Sequence, residues 1–551
     1  MAGNTSKIAD VLIIGSGASG LIAAKHLTTA GFDVVCLEQG QPVDHGKFWG
    51  DKPEFELMTQ KLWHPNPNVR DLESDYPIDT TESDVPILMY SGVGGTTILY
   101  GAHWQRFMPS DFRVKTLDGV GEDWPISYED LEPYYDEMDL EIGVSGLGGD
   151  TAFPPGKAPP LPPLPLGKMG RKAADGMNKL GWHWWPAPNS IASRAYNGRN
   201  ACALRGTCRN GCVEGAKASF DLTHLPIAMK HGLRLITGAR VREVLVNEQG
   251  LATGAVYVDR SGRERRQLAR TVMVCCNGVG TPRLLLNSRS SRFPDGLANS
   301  SGLVGRNLML HPYSTVIGHF EECLDSWMGP AGQPIQSMQF YETDENRGFV
   351  RGAKWHVLPG GGPLGGPPAP GRPFDEAWGA AFHRNRDRVF GRSFEWGIMA
   401  EDLPEESNRV VLHPTLTDSD GVPAAKILYN YSENTKRISA FHLARAKEAM
   451  EASGASSVTV RGLMTDRSMH NTGASLMATG HLMGTCRMGN DASRSVVNQW
   501  GQAHDVPNLY IFDGSVFVTG AGFNPTGTIA AIALRAVKHF IANRRDQEVA
   551  A

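Results

Sequence analysis

The sequence predicts an α/β protein with a nucleotide-binding fold that begins at one terminus and is completed at the other. Three observations predict it. Residues 10–38 spell a whole βαβ unit with glycines at its first turn. Residues 508–541 spell a strand ending on an acid and glycine, followed by a proline and a long apolar-patterned helix. The 551 residues between and including these ends are too many for one ordinary domain, so an inserted lobe must lie between them.

Asp10 to Ile14 is an apolar run of a length that suits a buried parallel strand. It feeds into Gly15-Ser16-Gly17-Ala18-Ser19-Gly20, and a helix over Leu21 to Ala30 follows, closed by Gly31. Phe32 to Leu37 is the second strand, ending at Glu38. In this G-x-G-x-x-G turn Gly15 permits the turn, Gly17 lets the backbone approach a pyrophosphate, and Gly20 lets helix and strand pack closely. The helix N-terminus offers N–H groups to phosphate, and Glu38 is placed to bind ribose hydroxyls. The motif does not separate NAD from FAD; a 2′-phosphate would be repelled by Glu38, which disfavours NADP.

Composition excludes several classes. Hydrophobic residues make up 41% and charged residues 20%, which is globular. Lys plus Arg total 54 against 58 for Asp plus Glu, so there is no basic field for nucleic acid. The N-terminus reads as a buried strand, not a signal peptide, and no 18-residue apolar stretch predicts a transmembrane segment. The eight irregularly spaced cysteines argue against a secreted disulfide framework. These features point to a soluble, cytoplasmic protein; export on a partner subunit is the alternative.

Between the ends, residues 41–87 are mixed and proline-punctuated, and Gly92 to Trp104 holds four glycines suited to backbone lying against a planar ligand. The Pro-rich run 153–166 reads as an extended linker. Trp182-His183-Trp184-Trp185 reads as core more readily than as a stacking platform. Strands are predicted at 233–236, 241–246, 255–258 and 271–276, the last running into Asn277-Gly278 and a helix. Residues 359–373 form a Gly/Pro-rich loop, either a flap or a surface insertion. In the C-terminal block Thr526 and Thr528 are placed to cap the helix that follows Pro525.

With these blocks assembled, the chain resembles the glucose–methanol–choline (GMC) family of FAD-dependent oxidoreductases over nearly its full length. Five ordered blocks carry the likeness: G-S-G-A-S-G, G-V-G-G-T-T-I-L-Y-G-A-H-W, N-G-V-G-T-P-R-L-L-L-N-S, H-L-M-G-T-C-R-M-G and D-G-S with F-N-P-T-G. Within the family it is most similar to bacterial flavoprotein subunits that dehydrogenate glucose or gluconate. The resemblance implies a Rossmann-like FAD domain with an inserted substrate domain on a mostly antiparallel sheet. Its segments would be an FAD-binding part at 1–45, a loop-rich connection at 46–87, a flavin-contact loop at 88–112, and a cap or first substrate part at 113–220. A second FAD-binding part at 221–312, the substrate domain at 313–477, and a third FAD-binding part with the active site at 478–551 would follow. It implies that Gly15, Ser16, Gly17, Gly20 and Glu38 hold the ADP half of FAD, with Val241 at the adenine. Gly94, Gly95, Thr96, Tyr100, Gly101 and Ala102 would track the ribityl and isoalloxazine. Asn277, Gly278, Asp513, Gly514, Pro525 and Thr526 would complete the cofactor site.

The family's active site is a His followed 43 residues later by His or Asn, which here matches His481 and Asn524. Oxidising an alcohol needs a base for the hydroxyl proton and an acceptor for hydride; His can be the base, the flavin the acceptor, and Asn a hydrogen-bond donor to the substrate oxygen. The position of the family's covalent flavin histidine matches Leu99, so FAD is expected to be non-covalent. A sugar or polyol is the favoured substrate; an aryl or xenobiotic alcohol, or hydroxynitrile lyase chemistry on the same fold, are the alternatives. The electron acceptor could be a quinone, a cytochrome subunit or O2.

Cys202, Cys208 and Cys212 follow C-x5-C-x3-C, a spacing that ligates a three-iron cluster in the glucose dehydrogenase subunits this chain resembles. Val213-Glu214 departs from that pattern, and Arg205 and Arg209 lie between the cysteines. A [3Fe-4S] site and three cysteines shaping a tight loop are both left open by the sequence.

Overall fold

The computed structural model describes residues 7–48, 50–52, 75–330, 332–360, 379–380, 383–384, 386, 390–463 and 480–550. Most of the Gly/Pro-rich stretch 359–373 and part of the 46–87 connection lie outside the described residues.

The run Ala9–Ile14, buried at every position but Asp10, is hydrogen-bonded in parallel to Val34–Glu38 on one side and to the end of Glu264–Val274 on the other. Arg234–Thr237 extends the sheet beyond Val34–Glu38, and Leu509–Ile511 pairs in parallel with Val272 to Val274. The C-terminal segment therefore completes the sheet begun by the N-terminal one. The helix Ala18–Thr29 packs against the C-terminal helix Thr526–Ala550, which packs in turn on Tyr128–Ile142.

The strand expected at 271–276 is Glu264–Val274, starting seven residues earlier and ending two earlier. Its first half, Glu264 to Leu268, pairs antiparallel with Ala252–Val258, and that strand with Arg240–Val246. This half opens on three consecutive exposed charged residues, Glu264 to Arg266, so it lacks the continuous apolar run that marks a parallel strand.

A second, six-stranded antiparallel sheet runs in the order Ser457–Arg461, Tyr313–His319, Ser393–Ala400, Ala353–Pro359, Ile335–Ser337, Trp185–Pro186. The helices Glu433–Ala452 and Gly167–Leu180 cover one face, where Ala353, Trp355 and Val357 enter an apolar core. Because strand side chains alternate, Lys354 and His356 point to the opposite face. Trp182, half-buried, packs on Phe340 and Trp355 at the edge of that core. A third sheet joins Arg409–Thr417, Pro423–Tyr429 and Ile78–Ser83.

Two local expectations are corrected. The Pro-rich run 153–166 is not a free linker, since Leu161 and Leu164 are buried and Leu161 bridges to Ser145. Thr528 caps no helix; it is buried, and its hydroxyl bonds the Tyr135 hydroxyl at 2.7 Å across the helix pair.

Candidate active site

A cavity of about 510 Å3 runs from the end of the first βαβ unit to the second sheet. Gly15, Gly17, Ala18, Ser19 and Glu38 line one end, with Val241. Asn277, Asp513 and Gly514 line its middle; Gly95, Thr96, Tyr100, Gly101, Ala102, His481, Asn524, Pro525 and Thr526 line the rest. Tertiary folding thus brings together most of the residues singled out in the sequence.

The glycines divide by role. A Cβ on Gly20 would collide with the Gly15 carbonyl, so this glycine serves helix–strand packing. A Cβ on Gly17 would meet nothing within 4 Å, because this backbone faces the open cavity. Gly17 is also the N-cap of the helix Ala18–Thr29, and no side chain caps it. That is the chemistry of a phosphate cradle. The two glycine loops are tied by the Gly94 N–H, which donates to the Ser16 carbonyl at 2.9 Å.

Ser16, Gly20, Gly94 and Gly278 do not line the cavity. The buried Ser16 donates from both its amide and its hydroxyl to Glu38 Oε2, at 2.9 and 2.8 Å, and Gly40 N–H donates to Oε1 at 2.8 Å. These bonds hold the carboxylate at the strand end, while burial pushes its pKa up. Gly278 lies against the Leu482 backbone, 2.5 Å from where its Cβ would be, and Gly514 presses on the Leu482 carbonyl, 2.7 Å away on the same measure. These two glycines therefore seat the segment carrying His481. Asp513 binds that region together: it accepts from Asn277 N at 2.9 Å, Thr281 Oγ1 at 2.6 Å and Ser515 N at 2.8 Å.

At the far end, an antiparallel bridge between Met309 and Met483 sets His311 opposite His481. Their Nδ1 atoms are 2.8 Å apart. His311 Nε2 lies 2.7 Å from the Ala521 carbonyl and 3.1 Å from that of Gly520, so it carries the hydrogen. His311 Nδ1 is then an acceptor, His481 Nδ1 donates to it, and His481 Nε2 keeps its lone pair. Asn524 Nδ2 lies 3.3 Å from that nitrogen.

The orientation of Asn524 is set from its other side. Lys354 Nζ donates to Oδ1 at 2.6 Å and His103 Nδ1 donates at 3.2 Å, so the amide nitrogen must face His481. Lys354 is fully buried and also donates to Gln333 Oε1 at 3.1 Å. Burial lowers its pKa well below the ordinary lysine value. Burial, reinforced by the positive potential of Lys354 and Arg209, also lowers His481, His103 and His356 well below 6.5. His311 is pushed down to about 4 by burial. The histidines of this cluster are neutral at pH 7. Arg209 and Tyr313 also line this end.

His311, His356, Lys354, Tyr313 and Arg209 escaped the sequence reading. Lys354 and His356 alternate with apolar residues, a pattern that resembles a solvated strand face; only the segments carrying His103 and Asn524, packed against it, bury that face at the cavity.

Residues 9–313 match the GMC oxidoreductase N-terminal model and residues 404–533 the GMC oxidoreductase C-terminal model. The chain belongs to the GMC oxidoreductase family. It is a flavoenzyme fold that binds FAD, and it oxidises CH–OH groups of alcohol donors. It is 40% identical to 2-methyl-1,2-propanediol dehydrogenase of Mycolicibacterium austroafricanum, over 96% of this chain and 94% of that protein. It is 29% identical to the fructose dehydrogenase large subunit of Gluconobacter japonicus, over 97% and 98% of the two chains. The crystal structure of a pyridoxine 4-oxidase superposes with a TM-score of 0.63 at 18% identity, covering 97% of this chain and 99% of that one, which speaks for the fold.

The iron–sulfur expectation is not supported. Cys202, Cys208 and Cys212 pack with Ala102, Leu164, Ile191 and Ala216, and none of the eight cysteines forms a disulfide. Among the described residues no group of three or more His, Cys, Asp or Glu is disposed to hold a metal ion. Cys202 Sγ and Cys212 Sγ instead accept from the backbone amides of Leu204 and Lys217, at 3.4 and 3.5 Å. The buried Lys217 ammonium ties this loop to the glycine-rich loop that begins at Gly92, reaching the carbonyls of Cys208 at 2.6 Å and Ile98 at 2.7 Å. No helix among the described residues is long and apolar enough to cross a membrane.

Proposed function

We propose that this protein oxidises a CH–OH group of a sugar or polyol, with His481 as general base, Asn524 as donor to the substrate oxygen, and FAD held non-covalently. One observation carries the reading: the His311 contact puts the hydrogen of His481 on Nδ1, so Nε2 carries a lone pair that can take a proton, and it stands 3.3 Å from the Asn524 amide nitrogen. A substrate hydroxyl inserted there would donate to His481 and accept from Asn524. When bound, FAD supplies the hydride acceptor at this end of the cavity. Gly17 and the uncapped helix behind it would hold its pyrophosphate, Glu38 and Val241 would face its adenosine, and Gly95 through Ala102 its ring system.

Leu99 lies beside the cavity and offers no nucleophile to the flavin, while the Nδ1 of His103 is engaged by Asn524. The substrate class draws on the relatives, one named for a diol and one for a sugar. The relative named as a large subunit suggests that an external partner or quinone takes the electrons, and O2 is the other acceptor to try. Eight cysteines outside disulfides suit a reducing, cytoplasmic compartment. No electron route is drawn through Cys202, Cys208 and Cys212.

Anaerobic mixing of the holoenzyme with an alcohol panel tests the reading, because the yellow flavin band bleaches only if hydride reaches the flavin. Retention of the band with every sugar, polyol and aryl alcohol would overturn it. Acid precipitation should leave the colour in the supernatant; a coloured pellet would mean a covalent link.

A further inference from the structure

Two buried imidazole nitrogens at the substrate end have no part in the chemistry above. Neither His103 Nε2 nor His356 Nδ1 has a hydrogen-bond partner, although both residues are at least nine-tenths buried and both line the cavity. Their rings meet edge to face with centroids 4.8 Å apart, yet they do not bond each other. Unpaired polar atoms are costly in a protein interior, and in native structures they generally face a ligand or a water.

The surrounding bonds decide what each nitrogen offers. His103 Nδ1 gives its hydrogen to Asn524 Oδ1, which leaves Nε2 an acceptor. His356 Nε2 lies 3.0 Å from the Tyr313 hydroxyl. A phenol is the better donor and a bare imidazole nitrogen the better acceptor, so Tyr313 donates and the hydrogen of His356 sits on Nδ1. Gly397, on the neighbouring strand, makes room for this bond: a Cβ there would collide with the Tyr313 hydroxyl and with His356 Nε2. One ring thus presents an acceptor and its neighbour a donor. A hydroxyl group satisfies both at once.

We propose that His103 Nε2 and His356 Nδ1 form a subsite for a second hydroxyl of the substrate, so that the molecule oxidised at His481 and Asn524 is a diol or longer polyol. The inference rests on the alcohol-oxidation reading of the same site. The two hydroxyl positions are linked through the Asn524 amide, which meets His481 through Nδ2 and His103 Nδ1 through Oδ1, and through the His103 ring, which carries Nε2 on its far side. His103 and His356 are specificity residues here, with no role in moving the reacting proton.

The test uses the full-length holoenzyme and matched pairs, 1,2-propanediol with 1-propanol and 1,2-hexanediol with 1-hexanol. Anaerobic flavin reduction should favour each diol by about 100-fold or more in kcat/KM, because a monoalcohol leaves both nitrogens unpaired. In His356→Leu the preference should fall at least about 10-fold, and His356→Asn, whose amide nitrogen lies near the Nδ1 position, should recover part of it. Tyr313→Phe, which only releases the tautomer, should lower it less and covers the case in which His356→Leu does not fold. A binding readout is independent of turnover. The tertiary diol 2,3-dimethyl-2,3-butanediol has no carbinol hydrogen to give up. It should perturb the flavin spectrum at concentrations at least about 10-fold below those needed with tert-butanol, and His356→Leu should abolish the difference. If neither member of any pair bleaches the flavin, the alcohol reading falls and the subsite with it. If diols and monoalcohols bleach it equally well, the alcohol reading stands and the subsite is overturned, the pair of nitrogens holding water alone.

Discussion

His311 and His481 face each other through their Nδ1 atoms at 2.8 Å, and the backbone decides which of them carries the proton between them. The carbonyls of Gly520 and Ala521 claim the Nε2 hydrogen of His311. Ala521 itself adopts a positive φ of 52°, a conformation that non-glycine residues rarely take. His311 is a positioning residue. Replacing it with Phe should cut the rate of flavin reduction about 10- to 100-fold at unchanged FAD content, because His481 is free to take the wrong tautomer. His311→Asn, which retains an amide acceptor, should recover part of the loss. Equal losses in both variants would mean that His311 acts by packing alone.

His481→Ala should keep FAD and lower the rate of flavin reduction by about 100-fold or more, the usual scale for a lost general base. Asn524→Ala should slow the reaction yet keep the acid-side ionisation in its pH profile, since an amide does not titrate. Near-wild-type reduction in flavin-loaded His481→Ala would remove the histidine from its role.

The pH dependence has a definite sign. The base works when neutral, so activity is lost as pH falls through its pKa. Burial pushes His481 well below 6.5, and His311, Lys354 and Arg209 lower it further. kcat/KM for the alcohol should therefore stay level from about pH 9 down to about 6.5, and decline only in more acidic solution. An acid limb centred at pH 7 or above would contradict a buried, neutral base.

Lys354→Met keeps the length of the side chain and removes the donor to Asn524 Oδ1. The amide then loses the contact that turns its nitrogen toward His481. The expected result is a fall in kcat of about 10-fold or more with little change in thermal midpoint, because the buried lysine bonds two amide oxygens, Gln333 Oε1 and Asn524 Oδ1, and burial disfavours its charge. Rates and melting curves of the same preparation check it; unchanged kcat would show that His103 alone suffices to orient the amide.

Gly17 and Gly20 separate cofactor binding from folding. Gly17→Ala adds a methyl group pointing into the cavity and touching no protein atom, at a φ of −73° that alanine adopts freely. The apoprotein should keep its stability to within about 1 kcal/mol, while FAD affinity drops about 10-fold or more. Gly20→Ala drives its methyl into the Gly15 carbonyl and should lower the stability of the apoprotein itself. Titration of FAD into each apoprotein, with urea unfolding, distinguishes the two.

The sequence by itself determined the α/β class, the βαβ unit and the two ends of one sheet, and it proposed the pair His481 and Asn524. Those features are local: a glycine turn between two apolar runs, or a short motif whose residue types limit the chemistry. It also showed the departures at Val213-Glu214 and at Arg205 and Arg209 that bore on the cysteine loop. Tertiary structure alone decided the rest. His311 reaches His481 across 170 residues because Met309 and Met483 bridge two irregular segments, and no spacing rule encodes such a bridge. Lys354 and His356 sit on the polar side of an alternating strand, which a sequence cannot tell from a face turned to water. The fold turns that face inward over the cavity, and burial then makes its lysine and histidines the hydrogen-bonding groups that orient the site.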